Sequence, residues 1–177
     1  MKQRTALTLV LALALAGCGA RQDYDLQAAI ARWQARPLGH YQLDTTDVLG
    51  SRTCNQSVEV RDEQLVRVID NTCQYPNLWA VSWLFRHTSR ALAPPNTCAL
   101  LDPVAGCICR TTAEVTVEYD PAYGYPRVIV VRPTWQAAWQ GSGYWWYTLQ
   151  HGALPNCTPP SVVPSEQVIV RQVIPLP

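Results

Sequence analysis

The sequence is almost without lysine: Lys2 is the only one, and every other of its 14 basic residues is arginine. Leaving out Lys2 and Arg4, which precede the apolar leader, the remaining arginines nearly balance the 13 acids. A chain so balanced offers no basic stripe to a phosphate backbone, and nucleic acid is not an expected partner. The sequence also lacks an apolar run of spanning length. Its stretch at residues 6–16 is shorter than the roughly 20 residues a membrane helix needs. Catalytic signatures are missing too. No GxSxG elbow, HExxH pair or phosphate-cradling glycine loop occurs, and Gly141-Ser142-Gly143 does not have the elbow's spacing. An enzyme is therefore not expected, and a hydrolase survives only as a reading with an unrecognised site.

What is present starts at the N-terminus. Lys2 and Arg4 precede the apolar stretch 6–16, the charge and length of a secretion signal. Leu15-Ala16-Gly17-Cys18 then resembles the lipobox of bacterial lipoproteins, an aliphatic residue and two small ones before an obligatory cysteine. The resemblance implies a signal peptide over residues 1–17, lipid attachment at Cys18 and acylation of its new amino group. Several chains together anchor stably where one alone is reversible. A chance cysteine in an ordinary signal peptide is the competing account. Residues 18–24 read as a linker and 25–174 as one domain, held outside the cytoplasm on the cell membrane or the outer membrane. Gly19 stands where inner-membrane retention commonly uses aspartate.

Once Cys18 is assigned to lipid, six cysteines remain: Cys54, Cys73, Cys98, Cys107, Cys109 and Cys157. An even set in an exported chain predicts disulfides, though the count does not fix the pairing. A hairpin that sets Arg61 opposite Val66 brings Cys54 opposite Cys73, within bridging distance. Cys107 and Cys109 would point to one side of an extended chain and take separate partners, Cys98 and Cys157, in an order left open. A metal site from these cysteines or from His40, His87 and His151 is the alternative, but no CxxC pair supports it. No metal or cofactor is expected.

The apolar pattern predicts an α+β fold: a small antiparallel sheet built from hairpins, two helices packed on one face, stapled by disulfides. Leu26, Ala29, Ile30 and Trp33 recur at helical spacing from Asp25, and Pro37 stops that helix. A second helix is expected over residues 81–92, with Ala80 a poor cap and His87 and Arg90 facing water. Strands are expected at 40–47, at 53–60 and 65–72 with Val58, Val60, Val66 and Val68 inward, at 114–119, at 127–132 and at 167–173. Alternation of Glu114, Thr116 and Glu118 with Val115, Val117 and Tyr119 marks a wet and a buried face. Glu114, Glu118 and Asp120 therefore read as a solvated face and not as an acid and base pair. A nucleophile built from Cys157 and His151 would have to escape oxidation.

The stretch VEYDPAYGYPRVIVV, residues 117–131, resembles the YDP-x-YGYP hairpin of a family of bacterial lipoproteins and secreted proteins of unknown function. Trp33, His40-Tyr41, residues 58–62 and Leu84-Phe85 match further parts of that pattern. The chain departs from it at Glu63 or Gln64, where glycine is common in the first hairpin turn, and at Ala80, where the cap is usually polar. The resemblance runs over about residues 33–132 and implies a small envelope domain with no assigned activity, so no catalytic residue carries over.

The remaining candidate for function is aromatic. Trp135, Trp139, Tyr144, Trp145, Trp146 and Tyr147 crowd around Gly141-Ser142-Gly143. Exposed, Trp135, Trp139, Trp145 and Trp146 could stack on a glycan or small ligand, or anchor an envelope protein. Such rings also suit a membrane interface. Trp145 and Tyr147, or Trp146, would otherwise cover the sheet as core in a chain whose one phenylalanine is Phe85, and that packing is the favoured account of the segment. The leading expectation is a non-enzymatic interaction or scaffold domain; a glycan-binding module is the alternative.

Overall fold

The computed structural model describes residues 17–35, 37–74, 80–93, 97–104, 106–160 and 163–177, with 17–23 by backbone alone. The elements, in chain order, are α1 (Gly17–Ala35), β1 (His40–Leu49), β2 (Arg52–Arg61), β3 (Gln64–Asn71), α2 (Val81–Leu92), β4 (Cys98–Asp102), β5 (Gly106–Tyr119), β6 (Pro126–Ala137), α3 (Ser142–His151) and β7 (Glu166–Pro175). The expectation of a small sheet with two helices is corrected: the fold is mostly β, one seven-stranded antiparallel sheet in the order β3-β2-β1-β7-β6-β5-β4, with three helices. The last strand closes it, since β7 lies between β1 of the first meander and β6 of the second.

The elements missed in the sequence have identifiable causes. Pro133 reads as the end of a strand, yet β6 continues to Ala137. Its pairing with β7 stops at Val131, and from there only β5 flanks it, a setting in which proline is tolerated. β5 likewise begins at Gly106, ahead of the alternating stretch that announced it. α3 was hidden by aromatics of high strand propensity, although Gly152 (φ 66°) supplies the left-handed cap that ends it. α1 starts earlier than Asp25, so residues 18–24 fall within it. The signal peptide expected at 1–17 lies outside the described residues except for Gly17.

Register shows how the first hairpin is built. Arg61 pairs with Gln64, not Val66, because Asp62 and Glu63 both take positive φ (51° and 61°) in a two-residue turn. Register shifts at Ser57/Val58 and Glu59/Val60 then insert extra residues into β3 and restore the offset. Cys54 and Cys73 are joined after all, with Cα atoms 5.0 Å apart. β3 itself lies outside the core, exposed over nearly its whole length. Val58 and Val60 are buried as expected, whereas Val66 and Val68 are exposed.

The main core lies between the sheet and two helices. Leu26, Ala29 and Trp33 of α1 and Val81, Leu84 and Phe85 of α2 cover Tyr41, Leu43, Val58, Val60, Ile129, Val168 and Val170. α2 has no local cap at Ala80. Its first amides are met from elsewhere: Val81 N donates to Tyr41 Oη (3.0 Å), Ser82 N to Glu63 Oε2 (2.7 Å), and Tyr41 Oη to Glu63 Oε1 (3.1 Å). Glu63 thus supplies a carboxylate where the helix dipole favours one. Burial, with that nearby carboxylate, pushes the Tyr41 hydroxyl well above its ordinary range. Glu63 and Ala80 therefore compensate each other, the first supplying the cap that the second lacks.

The YDP-x-YGYP turn serves as a seat for α1. Asp120 Oδ1 accepts from Ala122 N (2.9 Å) and Tyr123 N (2.8 Å), and Gly124 N donates to Asp120 O (2.9 Å). Gly124 has φ 85°, and a Cβ there would collide with the Ala29 carbonyl. Tyr125 meets Trp33 edge-on at 6.3 Å. The residues that carry the resemblance are occupied in packing.

Candidate functional site

A second, smaller cluster sits beyond the main core, where Ile108, Cys109 and Tyr144 are buried and Leu100, Trp135, Ala137, Tyr147 and Cys157 pack on them. Two disulfides hold it: Cys98 to Cys107 and Cys109 to Cys157, which settles the order left open by the sequence. With Cys54 bonded to Cys73, Cys18 is the one cysteine of the seven outside this set. A Cys157 and His151 nucleophile is thereby removed, and His151 Nδ1 lies 3.0 Å from Tyr147 O instead.

The structure divides the aromatic segment. Tyr144 is the core ring, while Trp135 is half-buried on β6. Trp139, Trp145 and Trp146 are 59%, 53% and 50% exposed, so the Trp145 or Trp146 core reading does not hold. Trp145 Nε1 donates to Trp139 O at 2.7 Å, tying the turn after β6 to α3.

Beside Trp139 a cleft of about 180 Å³ opens, lined by Arg110, Thr111, Thr112, Gln136, Ala137, Ala138 and Gln140. Its position follows from register. Arg110 pairs with Gln136 and Thr112 with Thr134, whose hydroxyl oxygens are 2.9 Å apart. Strand alternation puts these pairs on the face opposite Val117, Ile129 and Val131, which turn toward the main core. The cleft combines an exposed indole with amide, hydroxyl and guanidinium groups. Arg110 is its sole ionisable lining residue.

Two larger recesses lie elsewhere. One, about 580 Å³, is bounded by Ile30, Trp33, Leu38 and Phe85 with Asp62 and Glu63 at its rim, where Glu63 is committed to the α2 cap. The other, about 570 Å³, includes Asp47, Cys54 and Cys73. The ligand atoms of those three lie within 4.8 Å, but both sulfurs are spent in a disulfide and provide no thiolate.

The histidines are scattered. His40 bridges Glu59 Oε1 (2.9 Å) and Pro177 O (2.8 Å), and the bond from His40, with Arg67 beside it, holds the Glu59 carboxyl below its ordinary range. His87, expected in water, is half-buried, stacks on Trp83 at 5.5 Å and lies 3.5 Å from Glu166. Of the alternating acids, Glu114 faces Arg132 at 3.9 Å in solvent, and Asp120 is used in the turn.

A polar network was missed in the sequence. Asp44 is 7% exposed, accepts from Gln42 Nε2 (2.9 Å) and also from Gln172 Nε2. Gln42 further donates to Ser57 Oγ at 3.0 Å. Burial alone would raise the Asp44 carboxyl, but the bonds from Ser57, Gln42 and Gln172 outweigh it and hold the group low. The polar alternation of His40, Gln42 and Asp44 was the available cue; nothing local connected them to Gln172.

Among the described residues no helix is long and apolar enough to cross a membrane. No curated protein and no solved structure matches the chain. Residues 25–151 match the family of unknown function DUF6174, and the chain belongs to that family.

Proposed function

We propose that this chain is a lipid-anchored, non-enzymatic binding domain of the cell envelope that takes a glycan at the Trp139 cleft. The observation that carries the reading is an exposed indole beside Arg110, Thr112, Gln136 and Gln140. A sugar presents an apolar C–H face for a ring and hydroxyls for planar polar groups, and this lining supplies both. Catalysis would need an acid or base at hydrogen-bond reach, and the lining holds no carboxylate, histidine or thiol. Three disulfides favour an oxidising compartment, and Cys18, outside their set, is the residue left to carry lipid.

Titration against an array of envelope oligosaccharides tests the glycan. Trp139→Ala is expected to weaken the best binder about ten-fold, the equivalent of 1.4 kcal/mol, with unchanged circular dichroism. An empty array, or equal binding by the variant, would sink the reading. The anchor is tested separately by mass spectrometry of the N-terminal peptide, with Cys18→Ala expected to abolish the acyl adduct.

A protein-partner reading also has an observation behind it. Edge strand β3 exposes Leu65, Val66, Val68 and Ile69, a surface open to strand addition. Its bulges disfavour regular pairing, so it ranks second.

A further inference from the structure

We infer that the outer face of α3 and the loop after it form a membrane-contacting surface that lies in the lipid headgroup region. From Pro133 to Ser165 the chain contains no Asp, Glu, Lys or Arg, although charged residues make up 15% of the whole. Charge usually keeps a water-facing surface soluble, and here it is absent where apolar side chains protrude. On α3 the side turned inward carries Tyr144, packed over Ile108 and Cys109, and Thr148, whose hydroxyl donates to Tyr144 O at 2.9 Å. The other side presents Trp145, Trp146 and Leu149, the last 77% exposed, followed by Leu154 at 70%.

The occupant is argued from chemistry. A protein partner at the β3 edge would meet apolar residues interleaved with Arg67 and Asp70. The α3 segment itself carries no Asp, Glu, Lys or Arg to pair, and its large groups are the indoles and aliphatics that partition into a bilayer interface. Trp145 has its N–H already bonded to Trp139 O, so its exposed ring surface needs no further polar partner. The disulfide from Cys109 to Cys157 ties the following loop to the sheet beside this face. A chain tethered at Cys18 would bring such a face to the bilayer at high local concentration. The inference uses Trp145, Trp146, Leu149 and Leu154, and does not depend on the glycan cleft.

The test is tryptophan fluorescence of the full chain reconstituted in phosphatidylcholine vesicles carrying bromine on the acyl chains near the headgroups. No tryptophan precedes Trp33, so neither leader nor anchor contributes signal, and Trp33 is only 5% exposed. Bromolipid is expected to quench the parent strongly. Most of that quenching should be lost in a Trp145→Phe, Trp146→Phe variant, and also in Leu149→Asp, a change at an exposed position that spares the core. Added salt should leave the quenching unchanged, because no ion pairs are involved. An unquenched parent, quenching abolished by salt, or full quenching in Leu149→Asp would overturn the inference.

Discussion

The two hydrophobic clusters reach stability by different routes. Around Leu84 the main core gathers buried side chains from two helices and four strands, with Val117 and Tyr119 of β5 packed against them, and its disulfide, Cys54 to Cys73, lies out on the β2 and β3 hairpin. Around Tyr144 the buried set is three residues, flanked by two disulfides. A cluster that small cannot offset the entropy of ordering its loops by burial alone, and covalent closure compensates. The large core depends on packing; the small one depends on sulfur.

That contrast can be broken from either side. Leu84→Ala removes a fully buried side chain under α2 and is expected to cost about 2–5 kcal/mol, seen as a lower global denaturation midpoint. Removing the Cys109 to Cys157 bridge, which spans 48 residues, is expected to cost about 4 kcal/mol by chain entropy. Its effect should be local. Amide exchange would rise first in α3 and the residues beside Cys157, while α1 and α2 stay protected until the global transition. Uniform loss of protection would mean that the clusters are one cooperative unit.

The main core was the more legible of the two because its pattern is periodic. Leu26, Ala29 and Trp33, and Val81, Leu84 and Phe85, announce buried helix faces by spacing alone. The Cys54 and Cys73 pair was reachable through hairpin geometry, though by the wrong register, because bulges replace a longer turn. The smaller lobe hid its architecture behind Pro133, which reads as a strand end, Gly141, which reads as a break, and consecutive aromatics of high strand propensity. The Trp139 cleft was visible only as an aromatic cluster; that Arg110 and Gln136 line it depends on pairing across β5 and β6. The Asp44 network joins residues from three strands, a conjunction that no window along the chain contains.

Helix starts extend the comparison at a smaller scale. Neither α2 nor α3 has a side-chain cap from its own N-cap residue, but α2 recruits Tyr41 and Glu63. Glu63→Gly should relieve the positive φ yet remove the cap, for a net loss of about 1 kcal/mol. Ala80→Ser should restore a local cap and recover much of that loss. Equal stability of Glu63→Gly and the parent in urea would show that the remote cap contributes no more than relief of the positive φ gains.

The smallest expected effect is electrostatic and belongs to the main-core half, since the α3 lobe holds no acid between Pro133 and Ser165. Asp44 has its carboxyl held below the ordinary 3.8 by Ser57, Gln42 and Gln172 against the opposing effect of burial. A carboxyl depressed in the folded state contributes stability that is complete above its unfolded value and is lost as pH falls through the folded one. The contribution is therefore full at neutral pH and is lost progressively as pH falls below about 4. Asp44→Asn should flatten this acid limb of the melting temperature curve, while amide exchange at α3 keeps the parent's pH response. An unchanged acid limb in Asp44→Asn would assign acid sensitivity to Glu59 instead, whose bond to His40 lowers it in the same direction.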